Sequence, residues 1–183
     1  GLHGSSIVSS VMNPIWRSLS AENAAAIGLG KAATHIVNYQ FIANFVKLGG
    51  TAATLGLALV IVFTAKSSRY KALGKLSLIP SLFNINEPIL FGIPIILNPL
   101  WLVPFVLVQV FNAATTYIVM DLGIIAKTFI EPGWNMFAPI GAFLSTLDVK
   151  AVIFIIILTI IDTLIYYPFF KAQEKQCLAE EEE

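Results

Sequence analysis

The stretch 84–99, Asn-Ile-Asn-Glu-Pro-Ile-Leu-Phe-Gly-Ile-Pro-Ile-Ile-Leu-Asn-Pro, constrains this chain most. It places one carboxylate, Glu87, at the head of a run, 88–120, that holds no Asp, Glu, Lys or Arg. Pro88, Pro94, Pro99 and Gly92 break that run, so one continuous helix is not expected. Asn84, Asn86 and Asn98 add amides to apolar surroundings. The chain is 57% hydrophobic and 12% charged, about half the charge of a soluble domain. The bilayer is therefore its main solvent. A carboxylate beside broken helices in that setting points to a substrate or ion site. The plainer alternative is a hydrated loop at the membrane edge, with the asparagines as turn residues.

Charge and cysteine content exclude several classes. The net charge is zero, which leaves no basic footprint for nucleic acid. The single cysteine, Cys177, excludes an internal disulfide framework and a multi-cysteine metal site. Because the chain opens at Gly1 with no charged segment leading into an apolar one, a fragment or processed piece without a signal peptide is expected.

Residues 1–16 are small and apolar, too short to cross a membrane, and Pro14 is expected to end or kink them. His3 sits between Leu2 and Gly4, where a ligand or backbone can approach closely. Residues 17–31 form the first polar break, and 32–48 are too polar for a lipid-facing surface, as in a re-entrant arm. His35 there is expected to bond locally. The segment 49–65 is charge-free, extends back towards Phe41 as a span, and opens with small residues suited to close helix packing. Residues 66–75 carry Lys66, Arg69, Lys71 and Lys75 without an acid and are read as a cytoplasmic loop, either a topology determinant or a docking surface. Residues 100–118 are a span with Trp101 and Tyr117 at its two interfaces, and prolines and glycines interrupt 121–150. Residues 151–170 form the last span, whose only charge, Asp162, should face protein. The tail from Lys171 is read as a solvated end with Cys177 as an incidental thiol.

Charge parity supports a doubled-back centre. With 66–75 inside, the tail lysines Lys171 and Lys175 also fall inside only if 76–99 dips into the membrane and returns. The expected fold is all-α and integral to the membrane, with transmembrane helices and two re-entrant helical hairpins. Broken helices free backbone groups that protein, water or substrate must satisfy. A sugar, whose hydroxyls both donate and accept, suits a cavity holding carboxylate, amide, imidazole and an aromatic face. Glu87, Asn86, His3 and Trp134 supply that set, while composition alone supports only a transporter for a small polar solute. A carboxylate that accepts from a sugar hydroxyl can also act as general base when that hydroxyl attacks a phosphoryl donor.

The stretch 84–99 closely resembles the signature of the membrane (IIC) component of the bacterial phosphoenolpyruvate-dependent sugar phosphotransferase system, lactose/cellobiose/diacetylchitobiose class. Leu2-His3-Gly4 with Met12-Asn13-Pro14-Ile15-Trp16 is similar to that family's histidine motif, and Pro132-Gly133-Trp134 with Pro139-Ile140-Gly141-Ala142-Phe143-Leu144 to its late motif. The resemblance implies that 1–183 is the C-terminal, substrate-binding half of a IIC domain, with the N-terminal helices absent. It implies a multi-pass cell-membrane permease that binds a β-linked disaccharide and moves it inward by an elevator-like shift. It also implies a homodimer in the full-length protein, and phosphorylation by a phosphocysteine on a soluble IIB partner, so that the chain is not an enzyme on its own. His3 and Glu87 become the candidate catalytic and sugar-binding pair, Asn86 a neighbouring contact and Trp134 a stacking residue. No cofactor and no metal is implied. The competing readings are a cation-coupled secondary transporter of a small polar solute and an intramembrane hydrolase. No activated serine, cysteine or metal-ligand cluster supports the latter.

Overall fold

A computed structural model describes residues 4–93, 95 and 98–182. His3 and Pro94 of the motifs above lie outside the described residues. The elements are α1 (Gly4–Gly28), α2 (Tyr39–Phe41), α3 (Leu55–Thr64), α4 (Ser68–Leu82), α5 (Glu87–Gly92), α6 (Pro99–Asp121), α7 (Ala138–Thr146) and α8 (Val149–Glu182). A π-helical turn, Ile42–Val46, continues α2, and no strand occurs among the described residues.

Two helices are long and apolar enough to cross a membrane, Pro99–Asp121 and Val149–Glu181. They run antiparallel. Near one end, Asn98 and Trp101 donate to Gln173 Oε1, and midway Asn112 Nδ2 donates to Asp162 Oδ2 at 2.9 Å. Asp162 is fully buried between helices, where its amide partner offsets part of the cost of a carboxyl in lipid. Gly56 of α3 makes this seam possible. A Cβ there would lie 2.8 Å from the Asp162 backbone carbonyl carbon, so only glycine lets α3 come so close to α8.

The helices α4 and α5 form the doubled-back hairpin. The 15 residues of α4 rise roughly 22 Å at 1.5 Å per residue. The chain turns at Phe83–Asn86, and α5 returns to pack Gly92 against Leu73 of α4. The chain then re-emerges at Asn98 beside Gln173, on the side from which α4 started. Pro88 stands in the first turn of α5, where its missing N–H costs nothing, and Pro99 opens α6 in the same way. From the opposite end, 124–146 dips in and returns. Its descending leg is extended and lies beside α7, with Phe129 N donating to Ser145 O and Ala126 N to Asp148 Oδ2. Tyr39–Ala53 and Leu55–Thr64, which together are long and apolar enough to cross a membrane, meet at a 55° bend.

Four expectations are corrected. Pro14 does not end the first helix, because α1 continues to Gly28 and absorbs most of the polar break. The proline removes one N–H but leaves the other turns intact. Most of 66–75 is not a loop: Ser67 caps Tyr70 N and helix α4 begins at Ser68. Trp101 is wholly buried against Tyr166 and Gln173 instead of sitting in an interfacial belt, whereas Tyr117 is exposed as expected. The tail beyond Lys171 is not a loose solvated end but the last turns of α8. Its Glu174 accepts from Lys66 N and Ser67 N, Glu181 accepts from Ser67 Oγ and Arg69 N, and Cys177 is buried against Ser67 Oγ.

Candidate functional site

The hairpin tip is fixed by two asparagines. Asn84 adopts a left-handed conformation (φ 63°), which its short polar side chain tolerates better than most. Its Oδ1 accepts from Gly49 N at 2.8 Å, and its Nδ2 donates to Trp134 O at 2.7 Å. One side chain therefore ties the tip of the α4–α5 hairpin to the loop before α3 and to the segment dipping in from the other side. Asn86 Nδ2 donates to Thr51 O at 2.8 Å. Gly50, at φ 104°, permits that approach, because a Cβ there would stand 2.6 Å from Asn86 Cγ. Buried amides matched in this way rigidify the ground on which neighbouring groups act.

Glu87 is the first residue of α5. Its carboxylate is exposed and has no hydrogen-bond partner among the described residues. The free N–H groups of a helix start favour a negative charge there. Trp134 follows Gly133 (φ 89°), is held by its backbone carbonyl, and leaves its ring about half exposed.

Glu87, Asn86 and Trp134 line one cavity of about 510 Å³, a size that suits a small organic ligand. Three of the four expected site residues are thus brought together, and the fourth, His3, lies outside the described residues. The Asn86 amide nitrogen is committed to Thr51, which leaves Oδ1 for a ligand. The helix α1 adds Ser9, Ser10 and Asn13 to the wall. Because Pro14 has no N–H, the Ser10 carbonyl lacks its ordinary helical donor. The arm 39–51 adds Tyr39, Lys47 and Thr51. Lys47 is the one cation among the described lining residues, and its ammonium has no ion-pair partner among them.

Sequence reasoning missed Lys47, Tyr39 and Asn13. The signal was the unusual polarity of 32–48 and Asn13 before Pro14, but neither shows which way a side chain faces. His35 is bonded locally, its Nε2 lying 2.7 Å from Glu22 Oε2. Arg17 braces the wall from behind. Its guanidinium stacks 3.9 Å from the Tyr39 ring centroid, and its Nη1 donates to Glu131 Oε2 at 2.6 Å. No group of three His, Cys, Asp or Glu side chains that could hold a metal occurs among the described residues.

The chain is similar to known proteins over its whole length. It is 38% identical to the oligo-beta-mannoside-specific EIIC component of Bacillus subtilis, covering 100% of this chain and 42% of that protein. It is 41% identical to the cellobiose-specific EIIC component of Geobacillus stearothermophilus, covering 100% and 41%. Among solved structures it superposes on ChbC, the IIC component of an N,N'-diacetylchitobiose-specific phosphotransferase system, with a TM-score of 0.96 and 36% identity, covering all of this chain and 43% of ChbC. The chain therefore spans about two fifths of the length of these relatives. Residues 1–108 match the family model for the phosphotransferase system EIIC component, and the chain belongs to that family of membrane proteins.

Proposed function

We propose that this chain is the substrate-binding half of a sugar permease of the phosphotransferase system, and that the cavity beside Glu87 takes a β-linked disaccharide of the cellobiose, diacetylchitobiose or lactose type. The observation that carries this reading is the convergence of Glu87, Asn86 and Trp134 on one cavity where two re-entrant segments meet. Sugar recognition asks for a partnerless carboxylate, amide oxygens, hydroxyls and one open aromatic face. The wall offers each of these. The names of the relatives, which specify cellobiose and β-mannosides, support the same ligand class.

The chemistry proposed for the site is phosphoryl transfer from a phosphocysteine on a soluble IIB partner. The sugar hydroxyl attacks phosphorus, the phosphorus–sulfur bond breaks, and the sulfur leaves as thiolate on IIB. Glu87 accepts the hydroxyl proton. Lys47, on the same wall, suits the negative charge of the phosphoryl group. His3 joins Glu87 in this proposal on its motif. The chain supplies the acceptor's environment and IIB supplies the phosphate, so it is not an enzyme by itself. Inward movement of the binding half against an N-terminal, dimer-forming half completes the proposed cycle.

The test is Glu87→Gln in the full-length protein. Loss of a positioned base costs about 100-fold or more, so IIB-dependent formation of sugar phosphate should fall by at least that much while the protein still inserts in the membrane. Unchanged phosphorylation would remove Glu87 from the chemistry. Uptake that follows an ion gradient and yields unmodified sugar would replace the whole reading with a cation-coupled one.

A further inference from the structure

A second cavity, of about 440 Å³, lies between the end of α3 and the lower part of α8, away from the sugar site. Its walls carry Lys66, Lys171 and Lys175 together with Thr64, Tyr167 and Glu174. Glu174 does not neutralise it. Its carboxylate is already engaged by Lys171 Nζ at 2.6 Å and by the backbone N–H groups of Lys66 and Ser67. Lys171 also donates to Thr64 O. The ammonium groups of Lys66 and Lys175 are exposed and have no partner among the described residues. The cavity thus holds two unspent positive charges beside one internally compensated pair.

The surface next to it narrows the class of ligand. Ile160, Leu164, Tyr167, Lys171 and Lys175 follow one another at intervals of three or four residues and share one face of α8. Ile160, Leu164 and Tyr167 are exposed, as is Phe63 at the end of α3. The face is apolar along the span and becomes basic where α8 leaves it. The 34 residues of α8 extend roughly 51 Å, well past a hydrocarbon core of about 30 Å. A soluble anion would use only the lower half of this surface. A molecule with a charged head and long apolar chains uses all of it.

We propose that this cavity binds the phosphate headgroup of an anionic phospholipid, with its acyl chains along the apolar face of α8. Basic pockets beside spanning helices recognise such headgroups. The site is independent of the sugar reading.

The experiment measures lipid retained by the detergent-purified full-length protein, by native mass spectrometry, with phosphatidylglycerol against phosphatidylcholine. The double variant Lys66→Gln/Lys175→Gln should lower phosphatidylglycerol affinity by about 30-fold, some fivefold for each cation. The matched variant Lys71→Gln/Lys75→Gln, with the same charge change on exposed positions of α4, should leave it unaltered. Lys66→Arg/Lys175→Arg should retain binding, which separates loss of charge from loss of fold. Equal loss in both glutamine pairs, no loss in either, or equal retention of phosphatidylcholine would overturn the site. Displacement of the lipid by inorganic phosphate at low millimolar concentration would assign the cavity to a soluble anion instead, and binding of an acidic protein surface in place of lipid would likewise defeat the proposal.

Discussion

The side chains of Glu87 and Lys47 share a cavity wall and make no hydrogen bond or ion pair to each other or to other described residues. Residues that matter only for folding normally satisfy one another, and an unspent carboxylate and an unspent ammonium on one wall are free for a ligand instead. Their tasks should separate by kinetics. If Lys47 meets the phosphoryl group and Glu87 the sugar hydroxyl, Lys47→Gln should leave sugar affinity within about twofold. It should slow phosphorylation by about 100-fold, the scale of one charge-stabilising donor in a transition state. Equilibrium binding of labelled sugar, set against single-turnover transfer from phosphorylated IIB, measures the two separately. An equal loss in both would make Lys47 a sugar contact instead.

At the scale of elements, the cavity is assembled from α1, the arm 39–51, the α4–α5 tip and the Trp134 loop, which are far apart in the chain. Arg17 fastens three of these together, stacking on Tyr39 and pairing with Glu131 three positions before Trp134. The ion pair is half exposed, so its direct contribution to stability is below about 1 kcal/mol. Its effect should be positional. Arg17→Lys keeps the charge but loses the planar stack and the fork. It should weaken equilibrium binding of labelled sugar by about three- to tenfold, the scale of one lost hydrogen bond, with thermal stability unchanged. Unaltered affinity would leave Arg17 as surface decoration. The α4–α5 hairpin was legible in the sequence because Pro88, Gly92 and Pro99 forbid a continuous helix and the basic residues on either side demand a return to one side. Asp162 was legible because an acid has no stable place against lipid. The passage of α1 through Pro14 was not, since helix propensity does not report the packing that carries a helix past a proline. Nor was the burial of Trp101, since position along a span says nothing about which face a ring occupies.

At the scale of the whole molecule, the end of the chain holds the foot of the hairpin whose tip carries Glu87. Glu174 and Glu181 of α8 accept from four successive backbone N–H groups, Lys66 to Arg69, at the start of α4. A helix start leaves its first N–H groups without intrahelical partners, and here a distant helix supplies the acceptors. No local pattern could reveal this, because the partners are more than 100 positions apart, so a tail rich in glutamate reads as solvated. Glu174 is the inner of the two clamps and almost wholly buried, and its replacement strands the buried Ser67 N–H at a cost of about 1–3 kcal/mol and takes one acceptor from Lys66 N–H and Lys171 as well. Glu174→Ala should therefore lower the melting temperature by several degrees. Because α4 and α5 form one hairpin, the change should also speed amide exchange through 68–92, at the foot first, while the Asn112–Asp162 level of α6 and α8 keeps its protection. Hydrogen exchange read by mass spectrometry resolves these regions. A uniform rise across all helices would mean that Glu174 supports the fold at large, and no change at 68–92 would mean that the hairpin is held by its tip, through Asn84 and Asn86, and not by its foot.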